Sequence, residues 1–179
     1  MKPITAILGI LALAASISAQ DTCTPDQVIV SLDINTKFAD QMQTDVDTTN
    51  NSIDPSGPVY KNYRALLNQY AHDVQCTINA TQDQQTQICA AYVNFATSQL
   101  RFLHIADGLR FFITNSHGEN EGKMHNYIQT YKSALEGYTS RIKAAVPLCA
   151  SQIDDAYAPL AKQLASLTQD YPAPSSSST

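Results

Sequence analysis

Apolar residues recur along this chain every three or four positions, the period of an α-helix that is buried on one side. The clearest case follows position 123, where Met124, Ile128, Tyr131, Leu135 and Tyr138 alternate spacings of four and three. Alternation of period two, the mark of a half-buried strand, occurs in no segment. The pattern therefore predicts an all-α fold.

The periodic segments predict about five helices. These helices are predicted to start near Pro25, Pro58, Asp83, Met124 and Ser151 and to end near Thr49, Ile78, Asn115, Ala145 and Leu167. The third segment is apolar most of the way round, because Val93, Leu100 and Phe111 form a second strip beside the main one. A helix of that kind is normally surrounded by others. We expect a single up-down bundle with the third helix in its centre.

Three segments begin with the spacing of a capping box, in which a Ser or Thr precedes a Gln or acidic residue by three positions. They are Thr24 with Gln27, Thr81 with Gln84, and Ser151 with Asp154. Inside the fifth segment, Pro159 predicts a kink or break near residues 156–158, because proline removes a backbone donor and its ring clashes with the preceding turn.

The two ends of the chain differ from the periodic middle. Residues 1–19 combine Lys2, an apolar run and the small pair Ser18-Ala19, which is the pattern of a cleaved export signal. Residues 20–170 are predicted to form the bundle. Residues 171–179 are a Pro/Ser-rich tail that we expect to bury nothing and to be disordered.

Composition limits the partners of the chain. Its 11 Lys and Arg against 16 Asp and Glu give a formal charge of −5, which argues against nucleic acid and anionic membranes. No segment after the export signal is apolar enough to be a transmembrane helix. Two glycosylation sequons, at Asn50 and Asn79, fall in predicted loops. We expect an extracellular, secreted glycoprotein, with association to a cell wall or surface left open.

The four cysteines predict two disulfide bonds, as is usual for an even number in an exported chain. In an up-down bundle Cys23, Cys76, Cys89 and Cys149 all lie at one end, and three pairings are open. We favour Cys76–Cys89 and Cys23–Cys149. No spacing of the C-x2-C type indicates a metal site, and no cofactor is expected.

Groups of histidine and carboxylate are candidates for catalysis in the first two cases below and for binding a divalent ion in the third. They are His72 with Asp73, His104 with Asp107, and His117 and His125 with Glu119 and Glu121. A helix-surface hydrogen bond or a polar loop explains each group without a reaction. No nucleophile elbow, zinc-protease motif or phosphate loop accompanies them. We therefore predict no catalytic residue and no metal ligand.

Nine tyrosines and no tryptophan are the most suggestive feature. Many lie on or near the inward stripes, where a hydroxyl needs a partner. Either these hydroxyls point out at the rim, or the rings line a partly polar pocket for a lipid-like ligand. The second interpretation names these ligand-binding residues: Tyr63, Tyr70, Tyr92, Phe95, Leu103, Tyr131, Tyr138 and Tyr157.

Three classes of function remain open at this point. The favoured one is a non-enzymatic protein that recognises an extracellular protein or a cell-surface component. The alternative is a carrier of an apolar small molecule of fatty-acid or sterol type, and the third is a hydrolase using a His-Asp pair. The architecture resembles that of plant invertase and pectin-methylesterase inhibitors and of lipid-holding fungal cell-wall galactomannoproteins, although the cysteine spacing matches neither.

Overall fold

The structure is a computed structural model that describes residues 22–48, 58–108 and 119–173. These residues contain five α-helices: α1 (Pro25–Thr48), α2 (Pro58–His72), α3 (Gln82–Gly108), α4 (Glu119–Ala145) and α5 (Ala150–Asp170). A short 3-10 helix, Pro147–Cys149, leads into α5. The all-α prediction is confirmed.

Contacts between helices give their directions. Near the start of α1, Ser31 contacts Asp73, and near its end Asp45 contacts Asn62, so α1 and α2 are antiparallel. The same comparison makes α3 antiparallel to α4 and α4 antiparallel to α5. The contacts are Tyr92–Thr139 and Gln99–Tyr131 for the first pair, and Lys143–Asp154 and His125–Tyr171 for the second. The up-down topology follows.

The third helix lies at the centre of the bundle, as its sequence predicts. It packs along α1 and α5. Its Phe95 ring meets Tyr70 of α2 with centroids 6.0 Å apart, and its Tyr92 shares a hydrogen bond with Thr139 of α4. Leu100 of the second apolar strip packs against the core, whereas Phe111 lies outside the described residues.

A short parallel strand pair was not anticipated. Thr22–Cys23 (β1) lies beside Thr77–Ile78 (β2), with Thr22 opposite Thr77. Two residues are too few to show an alternating pattern. The second helix ends at His72, six residues before the predicted Ile78, because β2 occupies Thr77–Ile78. Between the two elements the chain turns at Val74. Its φ of 55° lies in the left-handed region that β-branched residues avoid.

The predicted disulfide pairing is wrong, although the number of bonds is right. Cys23 pairs with Cys76 and Cys89 pairs with Cys149, with Cα atoms 5.5 and 6.5 Å apart. The strand pair brings Cys23 to the segment of Cys76, and α3 and α5 start side by side in the same direction. We call the end of the bundle that holds these bonds the cystine end.

Two of the three predicted capping boxes are present. The backbone N–H of Thr24 donates to Gln27 Oε1 at 2.8 Å, and that of Gln27 donates to Thr24 Oγ1 at 3.3 Å. Thr81 and Gln84 form the same reciprocal pair at 2.9 and 3.4 Å. These bonds satisfy donors that the first turns of α1 and α3 would otherwise leave open.

Two predictions for the end of the chain are wrong, and the break that Pro159 could cause is absent. Ser151 is no cap, because α5 begins before it at Ala150. The helix is unbroken at Pro159, since both Pro159 and Asp155, whose carbonyl loses its donor, face solvent. The tail does not begin at Tyr171, because that side chain is fully buried in the core. The bundle therefore includes Tyr171.

Some predictions concern residues outside the described ranges. These are the export signal over residues 1–19, the sequon at Asn50, the loop residue His117 and the tail beyond Ala173. The side chains of His72, Glu119 and Glu121 also lie outside the described part of the chain, although their backbones belong to α2 and α4.

Candidate functional site

The bundle brings most of the predicted ligand-binding residues together. Leu103 and six aromatic residues are buried, whereas Tyr157 is half-buried. Aromatic rings contact one another at the centre, with the Tyr70 and Tyr138 centroids 5.0 Å apart and the Phe95 and Tyr138 centroids 5.5 Å apart. We call the following residues the tyrosine cluster: Tyr63, Tyr70, Tyr92, Phe95, Tyr131 and Tyr138.

Four of the five hydroxyls of this cluster, all except that of Tyr70, form hydrogen bonds inside the bundle. The Tyr92 hydroxyl lies 2.8 Å from Thr139 Oγ1, and the Tyr138 hydroxyl lies 2.7 Å from Ser31 Oγ. Tyr131 donates to Gln99 Oε1. Tyr63 donates to a backbone carbonyl of α4 at 2.6 Å. The cluster is therefore cross-linked by hydrogen bonds between helices.

Burial keeps these phenols neutral. Loss of solvation raises the pKa of Tyr70, Tyr92, Tyr131 and Tyr138 well above the usual 10.0. Burial, with a smaller effect from the Glu136 carboxylate, raises the pKa of Tyr157 to about 12. The cluster consequently carries no charge at neutral pH, and each phenol keeps a proton to donate.

A polar junction ties the end of α2 to α1 and α4. Asp73 accepts a hydrogen bond from Ser31 at 2.5 Å and two from Gln69 at 2.8 and 2.7 Å. Arg141 of α4 donates to the backbone carbonyl of Asp73 at 3.2 Å and to that of Tyr70. A guanidinium suits this place, because the last carbonyls of a helix lack intrahelical donors and carry partial negative charge.

Beside this junction, an open groove of about 420 Å³ faces the exterior at the cystine end. Its walls are the segment after α2 and the last turns of α4. Arg141 is the one ionisable side chain among its lining residues. The lining residues are Val74, Gln75, Cys76, Thr77, Ile78, Arg141, Ala144 and Ala145. The volume falls in the range of small-ligand sites, and the groove would also accept a few side chains of a protein.

Two of the histidine candidates, His104 and His125, lie apart from this groove. His104 is exposed on α3, and the Asp107 carboxylate accepts a hydrogen bond from Gln163 of α5 at 3.1 Å. His125 Nδ1 lies 2.7 Å from the carbonyl oxygen of Tyr171. Among the residues that the structure describes, no cluster of His, Cys, Asp and Glu has the arrangement of a metal site.

The sequon at Asn79 is placed where a glycan has room. Asn79 is exposed in the segment between β2 and α3. Its sequon residue Thr81 is exposed too, and its hydroxyl caps α3. The segment lies near the cystine end, because β2 adjoins Cys76.

Sequence reasoning missed the polar partners of the tyrosines. Ser31, Asn35, Gln99 and Thr139 are buried residues on the inward faces of their helices. A signal was present, since Ser31 and Asn35 interrupt the apolar stripe of α1 at positions that should face the core. Polar residues at such positions indicate buried hydrogen bonds, because burial without a partner is costly.

Comparisons with protein-family models, curated proteins and solved structures found no match. Within the described ranges, no helix combines the length and the apolar character needed to cross a membrane.

Proposed function

We propose that this chain is an exported, non-enzymatic protein that acts through its surface, by binding an extracellular protein or a cell-surface component. One observation carries the proposal: the inward faces of the helices are filled by rings that contact each other and hydroxyls that bond to the bundle itself. An interior used in this way stabilises the fold. We therefore assign recognition of the partner to the outer surface of the bundle.

Export is supported by three features. The first residues have the pattern of a signal, two disulfide bonds are typical of oxidising compartments, and the Asn79 sequon is exposed. Expression in a eukaryotic secretory host should add a glycan to Asn79. Asn79→Gln should remove that mass.

The groove at the cystine end is our candidate contact surface. The Cys23–Cys76 bond fixes one wall, and Arg141 holds that wall to α4 through two backbone carbonyls. A surface that is rigid before binding loses less conformational entropy when a partner arrives. Arg141 also places a positive charge in the groove of a chain whose net charge is −5.

A pair of charge variants tests the groove. Ala144 is exposed and lines the groove, so Ala144→Glu should place a carboxylate near Arg141 without disturbing the core. Ser133→Glu is the matched control, because Ser133 is also exposed on α4 but lies about 16 Å away along the helix. The assay is saturable binding of labelled protein to the surface of the producing cells.

We expect Ala144→Glu to weaken binding by about tenfold or more, the effect of roughly 1.4 kcal/mol, and Ser133→Glu to leave it unchanged. Equal binding by both variants would show that the groove is not the contact surface. Absence of saturable binding by the unmodified protein would contradict surface action altogether.

The carrier alternative makes a different prediction. A protein of this kind purified from its own host should retain a fatty acid or sterol in native mass spectrometry. If the protein acts through its surface, native mass spectrometry should give the mass of the polypeptide with its glycans and no bound lipid. A stoichiometric lipid, released by denaturation, would favour the carrier.

A further inference from the structure

We propose that the groove at the cystine end binds an extended peptide segment of a partner protein, with one acidic side chain of that segment on Arg141. This inference rests on the surface action proposed above and names the chemistry of the partner. Three observations carry it: the hydrogen-bond donors that Arg141 keeps, the aliphatic walls of the groove, and the uncovered edge of β2.

Arg141 keeps donors for a ligand. A guanidinium carries five N–H donors. Its Nε donates to the backbone carbonyl of Asp73 and its Nη2 to that of Tyr70, so three donors have no acceptor among the described residues. The side chain is half-buried and lines the groove. A carboxylate that reaches it would accept charge-assisted hydrogen bonds, which are stronger than those between neutral groups.

No carboxylate of the described residues forms a salt bridge with Arg141. The Asp73 carboxylate is occupied by Ser31 and Gln69. Lys143, two positions further along α4, is bound by Asp154 at 2.6 Å. Arg141 therefore offers a local positive charge in a chain whose net charge is −5. Such a surface favours a segment with one carboxylate over a polyanion, which the acidic protein would repel as a whole.

The walls of the groove suit apolar side chains on an extended main chain. Half of the lining residues are aliphatic: Val74, Ile78, Ala144 and Ala145. Among the lining residues, β2 is represented and β1 is not. Because the sheet has two strands, β2 keeps one edge that no described strand covers. An extended peptide can add to such an edge through main-chain hydrogen bonds while alternate side chains enter the groove.

A polysaccharide fits this groove less well. A sugar presents hydroxyls on every side, whereas Gln75 and Thr77 are the only polar side chains in the lining besides Arg141, and no aromatic ring of the described residues lines it. The backbone at Val74 also favours a binding role. Val74 is held in the left-handed region, and non-glycine residues in that region cluster at ligand sites.

The test starts with selection of linear heptapeptides from a random phage-displayed library on the full mature chain. We expect the selected peptides to share one Asp or Glu flanked by apolar residues. The tightest peptide is then synthesised with its acid and with the matching amide, and the amide should raise Kd by about tenfold or more. Chemical-shift mapping with 15N-labelled protein should place the acidic peptide on residues 74–78 and 141–145.

Ala144→Lys separates charge recognition from folding. Ala144 is exposed in the groove, one turn after Arg141. A lysine there should tighten binding of the acidic peptide by about twofold to fivefold, which a damaged fold cannot do, and Ala144→Glu should weaken it. Ser133→Lys is the matched control, because Ser133 is exposed on the same helix about 16 Å away, and it should leave Kd unchanged.

Three results would overturn the proposal. They are equal Kd values for the acid and amide peptides, a peptide site mapped outside the groove, and binding to the producing cells that survives protease treatment of those cells, which would indicate a partner other than a protein. The first two leave surface action intact. Peptide binding is measured on purified protein and surface action on cells, so a failure of one is distinguishable from a failure of the other.

Discussion

Removing single hydroxyls from the core by Tyr→Phe substitution should give three different effects on stability. Tyr131 donates to Gln99, whose side chain is fully buried, so Tyr131→Phe leaves an acceptor without a donor. That loss costs about 1–3 kcal/mol. In Tyr138→Phe, Ser31 keeps its bond to Asp73, so the loss is one hydrogen bond, worth about 1 kcal/mol.

Tyr157→Phe is the internal control, because it removes the same hydroxyl group from a position where that group makes no hydrogen bond to a described residue. The Tyr157 hydroxyl oxygen is buried and has no hydrogen-bond partner among the described residues. Removing it takes away a desolvated polar atom and breaks no bond. We expect a change between zero and a stabilisation of about 1 kcal/mol.

Urea unfolding at neutral pH measures all three variants, and an unchanged slope against denaturant shows that the unfolded states are comparable. For a chain of this size, each 1 kcal/mol corresponds to roughly 2–4 °C in Tm. The expected order of destabilisation is Tyr131, then Tyr138, then Tyr157. Equal losses at all three positions, or the greatest loss at Tyr157, would refute the assigned hydrogen bonds.

Three further predictions concern the rest of the fold. Non-reducing peptide mapping should recover the two disulfides described above. Replacing either pair by alanines should lower the free energy of unfolding by about 4 kcal/mol, because the bonds close similar loops with sequence separations of 53 and 60 residues. A loss below about 1 kcal/mol for either pair would contradict this. Thr24→Ala and Thr81→Ala should each cost about 1 kcal/mol in urea unfolding through loss of a cap, whereas serine at either position should restore it. Burial raises the pKa of Tyr92 above 10.0 and that of Tyr157 to about 12, so the unfolded chain loses these protons first. These phenols should therefore leave stability unchanged between pH 7 and 9 and lower it as pH rises past about 10. Ionisation of every tyrosine at pH 10 without unfolding would contradict the buried cluster.

The sequence predicts the helices well because their apolar stripes are long. Each stripe covers several turns, so the periodicity survives a few exceptions. The starts of α1 and α3 are also predictable, since a capping box is a local pattern that tertiary packing leaves intact. The end of α2 is not, because Val74 continues the apolar stripe although the chain turns there.

The cysteine pairing shows where local patterns stop being informative. Alternating helices put all four cysteines at one end, and every pairing is compatible with that placement. The choice depends on which segments are adjacent there, and the contact that decides it is a strand pair of two residues, β1 with β2. No periodic signal in the sequence encodes so short an element.

The apolar stripes indicate which tyrosines face the core, but they do not reveal the hydrogen-bond partners of the hydroxyls. A stripe shows which residues face the core, whereas the partner of a hydroxyl lies on another helix. Tyr92 and Thr139 are 47 positions apart, and Ser31 and Tyr138 are 107 apart. Tyr171 was misassigned for a related reason, since its neighbours in sequence are those of a tail and its buried site is made by other helices.

The order of the disulfide bonds bears on how the chain is made. The first cysteine pairs with the second and the third with the fourth, so the two covalent rings follow one another and do not nest. During synthesis from the N-terminus, Cys76 can seal the α1–α2 hairpin before any of α3 exists. An oxidase that joins cysteines as they emerge would then reach the native set with no bond to exchange, and would avoid a reshuffling step that takes seconds to hours.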